Sequence, residues 1–247
     1  MIDFNNAMIA YLWRKVPKEY LPPEKWENWR REKQASYLKI ETVFIQLKRY
    51  ERNWIYKNCI YKKPDDAVKH YLMDLYDIKY IPSMFFNYLI LMIERQLPDE
   101  YKWLNISGCK LVEPKCDTYR KQALEAINNF TIDGIVSDSL KSDEYFKNKP
   151  VTNPIEYWGL MPDKNDYKEI LELLGIQFIK DFTQKLISSS SVGGWPDLVF
   201  VDKIKKKIEF LEVKTLNDRM RDNQYVFYKE FCEDGLINYQ LVFLDPK

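Results

Sequence analysis

One string constrains this chain more than any other: Gly193-Gly194-Trp195-Pro196-Asp197, running straight into the apolar segment Leu198-Val199-Phe200-Val201. A second apolar segment, Phe210-Leu211-Glu212-Val213-Lys214-Thr215, follows after the polar connector Asp202-Lys203-Ile204-Lys205-Lys206-Lys207. Two short apolar runs divided by a polar turn predict an antiparallel hairpin. Side chains alternate along a strand, so Glu212 and Lys214 share one face while Leu211 and Val213 share the other. A hairpin closed at the connector brings Asp197 and Glu212 together, with the Lys214 ammonium beside them. Two carboxylates and an ammonium form a hard-cation site of the kind used in metal-assisted phosphodiester hydrolysis. Glu-x-Lys alone is common in surface hairpins; the whole string is what favours a site.

The rest of the composition bounds the reading. The chain has 247 residues, 46% of them hydrophobic and 15% aromatic, enough for a true core. A net charge of +1, from 38 Lys+Arg against 37 Asp+Glu, leaves nucleic-acid binding to local patches. Cys59, Cys109, Cys116 and Cys232 form no Cys-x-x-Cys pair, so a zinc ribbon or disulfide scaffold is not expected. That points to an intracellular, reducing compartment, cytoplasmic or, in a eukaryote, nuclear. Residues 1–10 lack the basic start of a signal peptide. The longest apolar stretch, 81–93, holds Pro82, Ser83 and Asn87 and is too short to span a bilayer, so no membrane partner is expected. His70 is the only histidine, which excludes two-histidine metal sites, and Ser188 to Ser191 have no triad base nearby.

Along the chain, Pro22-Pro23-Glu24 opens an expected helix to about residue 58, with Tyr37, Ile40, Phe44, Leu47 and Tyr50 as its buried stripe. Pro64-Asp65-Asp66 starts a second helix through Tyr76, and 83–96 reads as a third. Further helices are expected at 117–129, 165–174 and 176–187, the last two divided by Gly175. After the hairpin come a helix over 218–232, ended by Gly235, and a final strand over 238–244. The expectation is an α/β (α+β) fold: a helical region over 1–65, then a domain over 66–247 with a helical insertion at about 114–187 and a sheet over 192–247.

Asp197 and Glu212 suit Mg²⁺ or Mn²⁺, which bind few carboxylates and keep positions for water and phosphate oxygens. The Val213 carbonyl is a candidate third ligand, and Lys214 a donor to the attacking water or to developing charge. Asn217 or Asp218 is expected to cap the next helix, with Arg219 and Arg221 on phosphates and Gln224 reaching Lys214 or the water. Trp26, Trp29, Arg30, Arg31 and Lys33, then Lys48, Arg49, Arg52 and Trp54, mix rings with cations. Such a mixture reads either as a nucleic-acid face or as a core stripe with solvated charges.

Together Gly193–Val199, Glu212-Val213-Lys214, Asn217-Asp218-Arg219 and Gln224 resemble the VRR-NUC (virus-type replication-repair nuclease) branch of the PD-(D/E)XK superfamily. More narrowly, they are similar to the C-terminal nuclease domain of Fanconi-associated nucleases. Weaker likeness extends to Cys116–Arg120, Ala123-Leu124-Glu125 and the helix entering Asp181-Phe182, which look like that family's helical insertion. The resemblance implies a restriction-endonuclease-like core and Mg²⁺- or Mn²⁺-dependent cutting of flapped, branched or junction DNA in repair, recombination or replication. The insertion implies a monomer. The family also supplies a Glu from the first core helix; the matching stretch, Lys79–Ser83, has no acid, leaving Asp77, Glu94, Glu169 and Glu172 as substitutes. Competing readings are a DNA-structure-binding protein that has lost catalysis and a small restriction-type endonuclease on the same core.

Overall fold

The computed structural model describes residues 16–76, 80–82, 89, 93, 121, 124–137, 164–188, 194–202 and 206–247. The chain divides into two compact units, one of residues 1–19 and 84–193, the other of residues 20–83 and 194–247. Of the expected helix over 83–96 only Leu89 and Ile93 are described, both helical and buried, and most of the insertion lies outside the described residues.

The second unit is built on a seven-stranded mixed sheet and carries the expected α/β character. In chain order it holds helix α1 (Arg31–Leu38), strands β1 (Glu41–Tyr50), β2 (Asn53–Tyr56) and β3 (Cys59–Tyr61), helix α2 (Pro64–Tyr76) and strand β4 (Tyr80–Pro82). The described elements of the first unit are helical residues at 124–127 and 132–137 and helix α3 (Lys164–Ser188). Helix α3 breaks at Gly175, which sits at φ 80° and ψ 155°, where the sequence placed the boundary between two helices. The second unit resumes with β5 (Leu198–Asp202), β6 (Lys207–Thr215), helix α4 (Asp222–Phe227), a wider helical turn over Tyr228–Cys232, and β7 (Tyr239–Pro246). Strand order across the sheet is β3-β2-β1-β7-β6-β5-β4.

The long helix expected over 24–58 does not form. Residues from Arg31 to Leu38 are helical, but Lys39 adopts the left-handed conformation (φ 57°) and the chain becomes extended. From Thr42 to Ile45 three of four residues are β-branched, and burial then follows a period of two: Ile45 and Leu47 are buried while Phe44 and Tyr50 are exposed. The apolar positions that mimicked a helical stripe thus lie on two faces of a strand. A two-residue turn with Lys57 and Asn58 both at positive φ joins β2 to β3, as a twisted hairpin requires.

One face of the sheet packs on α2. Ile45, Leu47 and Trp54 from β1 and β2 meet Leu198, Leu211, Val213, Val242 and Leu244 from the central strands, and Ala67, Val68 and Leu72 from the helix. Each of the Val, Leu and Ile side chains is worth about 1.5–3 kcal/mol of burial, so this cluster anchors the sheet. His70 is exposed and stacks near Tyr61, with ring centroids 4.9 Å apart, as a structural histidine. Among the described residues Cys59 and Cys232 are free thiols, and no helix is long and apolar enough to cross a membrane.

Candidate functional site

The hairpin forms as the sequence implies. Strands β5 and β6 pair antiparallel with Leu198 opposite Leu211, so Asp197, one step before Leu198, falls beside Glu212. The backbone N–H of Val213 donates to Asp197 Oδ2 at 2.9 Å and locks the carboxylate at the strand mouth. Glu212 and Lys214 lie on the face opposite the α2 core, only 2% and 6% exposed. Lys214 Nζ donates to Glu212 Oε1 at 2.7 Å and to Gln224 Oε1 at 3.0 Å. The Gln224 amide also donates to Glu212 Oε1. Glu212 Oε2 is buried and has no hydrogen-bond partner.

Burial raises the pKa of Asp197 well above its ordinary value, and the nearby Glu212 charge raises it further. Burial also raises Glu212, opposed by the Lys214 charge and its hydrogen bond. Two half-satisfied acids at close range form a site that favours added positive charge. A third acid contributes to this field. Asp65, in the first turn of α2, is itself pushed upward by burial and adds repulsion at both Asp197 and Glu212. The sequence reading took it for a helix cap. Its signal was order along the chain, since α2 is the helix just before the strand that pairs with the Asp197 strand. Of the substitutes considered for a helix carboxylate, Asp77 and Glu94 lie outside the described residues. Glu172 is exposed and 3.7 Å from Lys168 in its own helix, and Glu169 lies on that helix too. Among the described residues no three His, Cys, Asp or Glu side chains are grouped closely enough to hold a metal by themselves.

Glycine at the motif has a specific reason. Gly194 has φ +87°, and a Cβ there would sit 2.4 Å from the Asn223 carbonyl oxygen. Only glycine lets the chain before Asp197 pass against the start of α4, which carries Gln224. Trp195 then sets its ring edge-on to Phe227, with centroids 5.1 Å apart, and so fixes α4 on this side.

The loop between β6 and α4 differs from expectation. Asp218 does not cap the helix: its Oδ2 accepts from the backbone N–H and the hydroxyl of Thr215, at 2.9 and 2.6 Å. With that carboxylate engaged, α4 begins at Asp222 with Arg221 as its N-cap residue, and Gln224 Oε1 accepts from the Arg221 N–H at 3.0 Å. Arg219 folds back to donate to the carbonyls of Leu216 and Asp218. Asn217, Arg219 and Arg221 nonetheless line, with Asp197, Glu212, Lys214 and Gln224, one open cleft of about 570 Å³. Val213 enters this site through its N–H and lines the same cleft.

Two buried polar residues of α1, which the sequence reading did not assign to the site, hold it from behind. Arg31, 2% exposed, donates from Nη1 to the Lys214 carbonyl at 2.9 Å and from Nη2 to Asp245 at 2.5 Å. Its guanidinium lies 4.4 Å from the Phe243 ring centroid. Gln34, fully buried, donates to the carbonyls of Trp26 and Met220 and accepts from the Met220 N–H at 2.8 Å. Helix α1 thereby holds both the strand that carries Lys214 and the loop that carries Arg219 and Arg221.

Residues 137–241 match the VRR-NUC domain family. The VRR-NUC match takes in Asp197, Glu212, Lys214 and Gln224, while Asp65, Arg31 and Gln34 lie upstream of it. No curated protein matches the chain by sequence. In fold the chain is similar to a crystal structure of paFAN1 bound to 2nt 5'flap DNA with gap, at TM-score 0.52 and 15% identity, covering 83% of this chain and 37% of that one. A second paFAN1 structure, bound to 1nt 5'flap DNA with gap, aligns at TM-score 0.51 and 16% identity over 86% of this chain and 41% of that one. The VRR-NUC resemblance drawn from the motifs therefore holds, and this chain spans about two fifths of the length of those neighbours.

Proposed function

We propose that this chain is a divalent-cation-dependent DNA nuclease that hydrolyses phosphodiester bonds in flapped or branched DNA. The observation that carries the reading is the state of Glu212: one oxygen is held by Lys214 and Gln224, and the other is buried, unpartnered and next to Asp197. A buried carboxylate oxygen without a partner is costly, and a bound cation is the partner that this donor set fits. Asp197, Glu212 and the Val213 carbonyl would hold Mg²⁺ or Mn²⁺, which supplies charge stabilisation at the phosphate and a more acidic water.

The chain's own groups define the remaining work. Lys214 is fixed by Glu212 and Gln224, so its ammonium is held in place to orient the attacking water and to stabilise negative charge developing on the phosphate. Gln224 keeps that ammonium from turning away and ties it to the start of α4. Arg221, and Arg219 on releasing its loop carbonyls, provide guanidinium groups at the cleft for the DNA backbone. Asn217 adds an exposed amide there. DNA as the substrate is supported by the VRR-NUC match and by the flap-bound state of the paFAN1 neighbours. We assign the chain to a monomer, as its resemblance to insertion-bearing members of the family implies, acting inside the cell, as its cysteine spacing suggests.

The test is cutting of a labelled flap and of linear duplex by the wild-type chain with Mg²⁺, with Mn²⁺ and with EDTA, beside Asp197→Ala and Lys214→Ala. Metal-dependent cutting of the flap that both variants lose supports the reading. Flap binding by an inert wild type would instead show a DNA-structure-binding protein, and equal cutting of linear duplex would point to a restriction-type enzyme.

A further inference from the structure

We propose that the open face of β1, β2 and β3 is a binding platform for single-stranded nucleic acid, separate from the catalytic cleft. Register defines this face. Lys214 pairs with Phe243 and Phe243 with Phe44, so Phe44, Gln46, Lys48 and Tyr50 point to the same side of the sheet as the catalytic lysine. Lys48 pairs with Ile55 and Ile55 with Ile60, which carries the same side across to the edge strand. The opposite side of these strands is the α2 core. On this side Phe44, Tyr50 and Ile60 are 65%, 66% and 69% exposed, among the most exposed large apolar side chains described. The sheet is covered by α1 as far as Phe243, under Arg31, and the platform begins at the next strand, where the Phe44 ring meets the Phe243 ring edge-on.

Charge selects the occupant. Residues 48–63 carry Lys48, Arg49, Arg52, Lys57, Lys62 and Lys63 against Glu51 alone, in a chain whose net charge is +1. Arg49 lies over the Trp54 ring and Lys57 pairs with Asp74, so these two are committed to the structure. Lys48 on the face and Arg52 in the turn at its end have no ion pair among the described residues and remain for a ligand. Flat exposed rings spaced along a strand and flanked by cations are the arrangement that stacks unpaired bases and tracks their phosphates. A second copy of this chain would set this cationic face against itself, which like charges oppose. Of the rings that the sequence offers either to a nucleic-acid face or to the core, Trp26 and Trp54 are 1% and 2% exposed and belong to the core. The rings available to bases are Phe44 and Tyr50. This inference rests on the proposed action on branched DNA only for the source of the strand, the unpaired arm of the substrate.

The experiment is fluorescence anisotropy in EDTA, with the full chain titrated against labelled fifteen-nucleotide oligothymidylate and against blunt duplex of that length. The Phe44→Leu/Tyr50→Ala variant is expected to lose on the order of ten-fold affinity for the single strand, with duplex affinity changed less than about two-fold. Lys48→Glu/Arg52→Glu is expected to lower the salt dependence of single-strand binding by about 1.4 in log–log slope. Tyr50→Ala alone, at a largely exposed ring, guards against misfolding of the double variant and is expected to lose about five-fold. Unchanged single-strand affinity in the ring variants, or competition by poly-glutamate that depends on the cations but not the rings, overturns the proposal. Because no cutting is measured, ring-dependent binding by a catalytically inert chain would sink the nuclease reading and leave this one standing. Flap cutting with ring-independent binding would do the reverse.

Discussion

The two faces of β6 contrast sharply. Leu211 and Val213 look toward α2 and join a cluster in which every neighbour is apolar and interchangeable in kind. Glu212 and Lys214, the residues between and after them, are buried as deeply but held by single-purpose polar partners: each other, Gln224 of α4, and Arg31 of α1 on the Lys214 carbonyl. An apolar face tolerates small errors of position because dispersion contacts are many and weak. A buried polar face does not, since each misplaced donor leaves an orphan group in low dielectric. The strand is thus stabilised from one side and made chemically specific from the other.

That contrast can be broken by substitution on either face. Lys214→Ala is expected to show the largest effect, a loss of roughly 10²–10³-fold or more in single-turnover cutting of a flap, with flap affinity retained. Comparable cutting by the variant would remove Lys214 from the chemistry. On the other face, Leu211→Ala is expected to cost about 2–5 kcal/mol in urea unfolding, with flap cutting per folded molecule largely kept. Parallel losses of both quantities would mean that the faces are not separable. Arg31→Met sits between the two cases. Removing its bonds to the Lys214 carbonyl and Asp245 is expected to cost about 2 kcal/mol of stability and to lower the cutting rate while KM stays near wild type. A change in KM alone would place Arg31 at the substrate instead.

Asp197→Asn is expected to act in the opposite direction on stability. Burial and the Glu212 charge raise the Asp197 pKa, and burial raises that of Glu212, so across that range the folded chain holds more protons than the unfolded one. The stability that these two carboxyls contribute without divalent cation should therefore be fullest below the ordinary carboxylate range and be lost as pH rises through the raised values. The Asn variant keeps an acceptor for the Val213 N–H and removes the repulsion. At pH 8 in EDTA it should melt a few degrees above wild type, at about 2–4 °C per kcal/mol, while losing cutting. A lower melting point would show that the carboxylate is held there by something other than its function.

The same contrast explains how much could be read in advance. The hairpin and the pairing of Asp197 with Glu212 followed from alternation and one polar connector, both local features. Gly175 and helix α2 were equally legible, because backbone conformation and capping are written in neighbouring residues. Helix α1 was not. Its buried positions, Arg31, Gln34, Ala35 and Leu38, have helical spacing, but two are among the most polar types. Hydrophobicity instead marks Tyr37, Ile40, Phe44, Leu47 and Tyr50 as the stripe; Ile40 and Leu47 are buried, but Tyr37, Phe44 and Tyr50 are exposed. Asp65 was hidden for a related reason. An acid in the first turn of a helix has a sufficient local explanation, and only the sheet order shows that it also adds its charge to the site.

Strand β7, last of the seven in sequence, lies between β1 and β6 at the middle of the sheet. The three strands on one side and the three on the other share no hydrogen-bonded edge until it arrives. During synthesis the Asp197–Glu212 hairpin is complete well before β7 emerges, yet Asp245, the acid that Arg31 grips while holding the Lys214 carbonyl, is part of that late strand. In chain order the acids thus come first, and their rigid backing arrives only with the keystone strand.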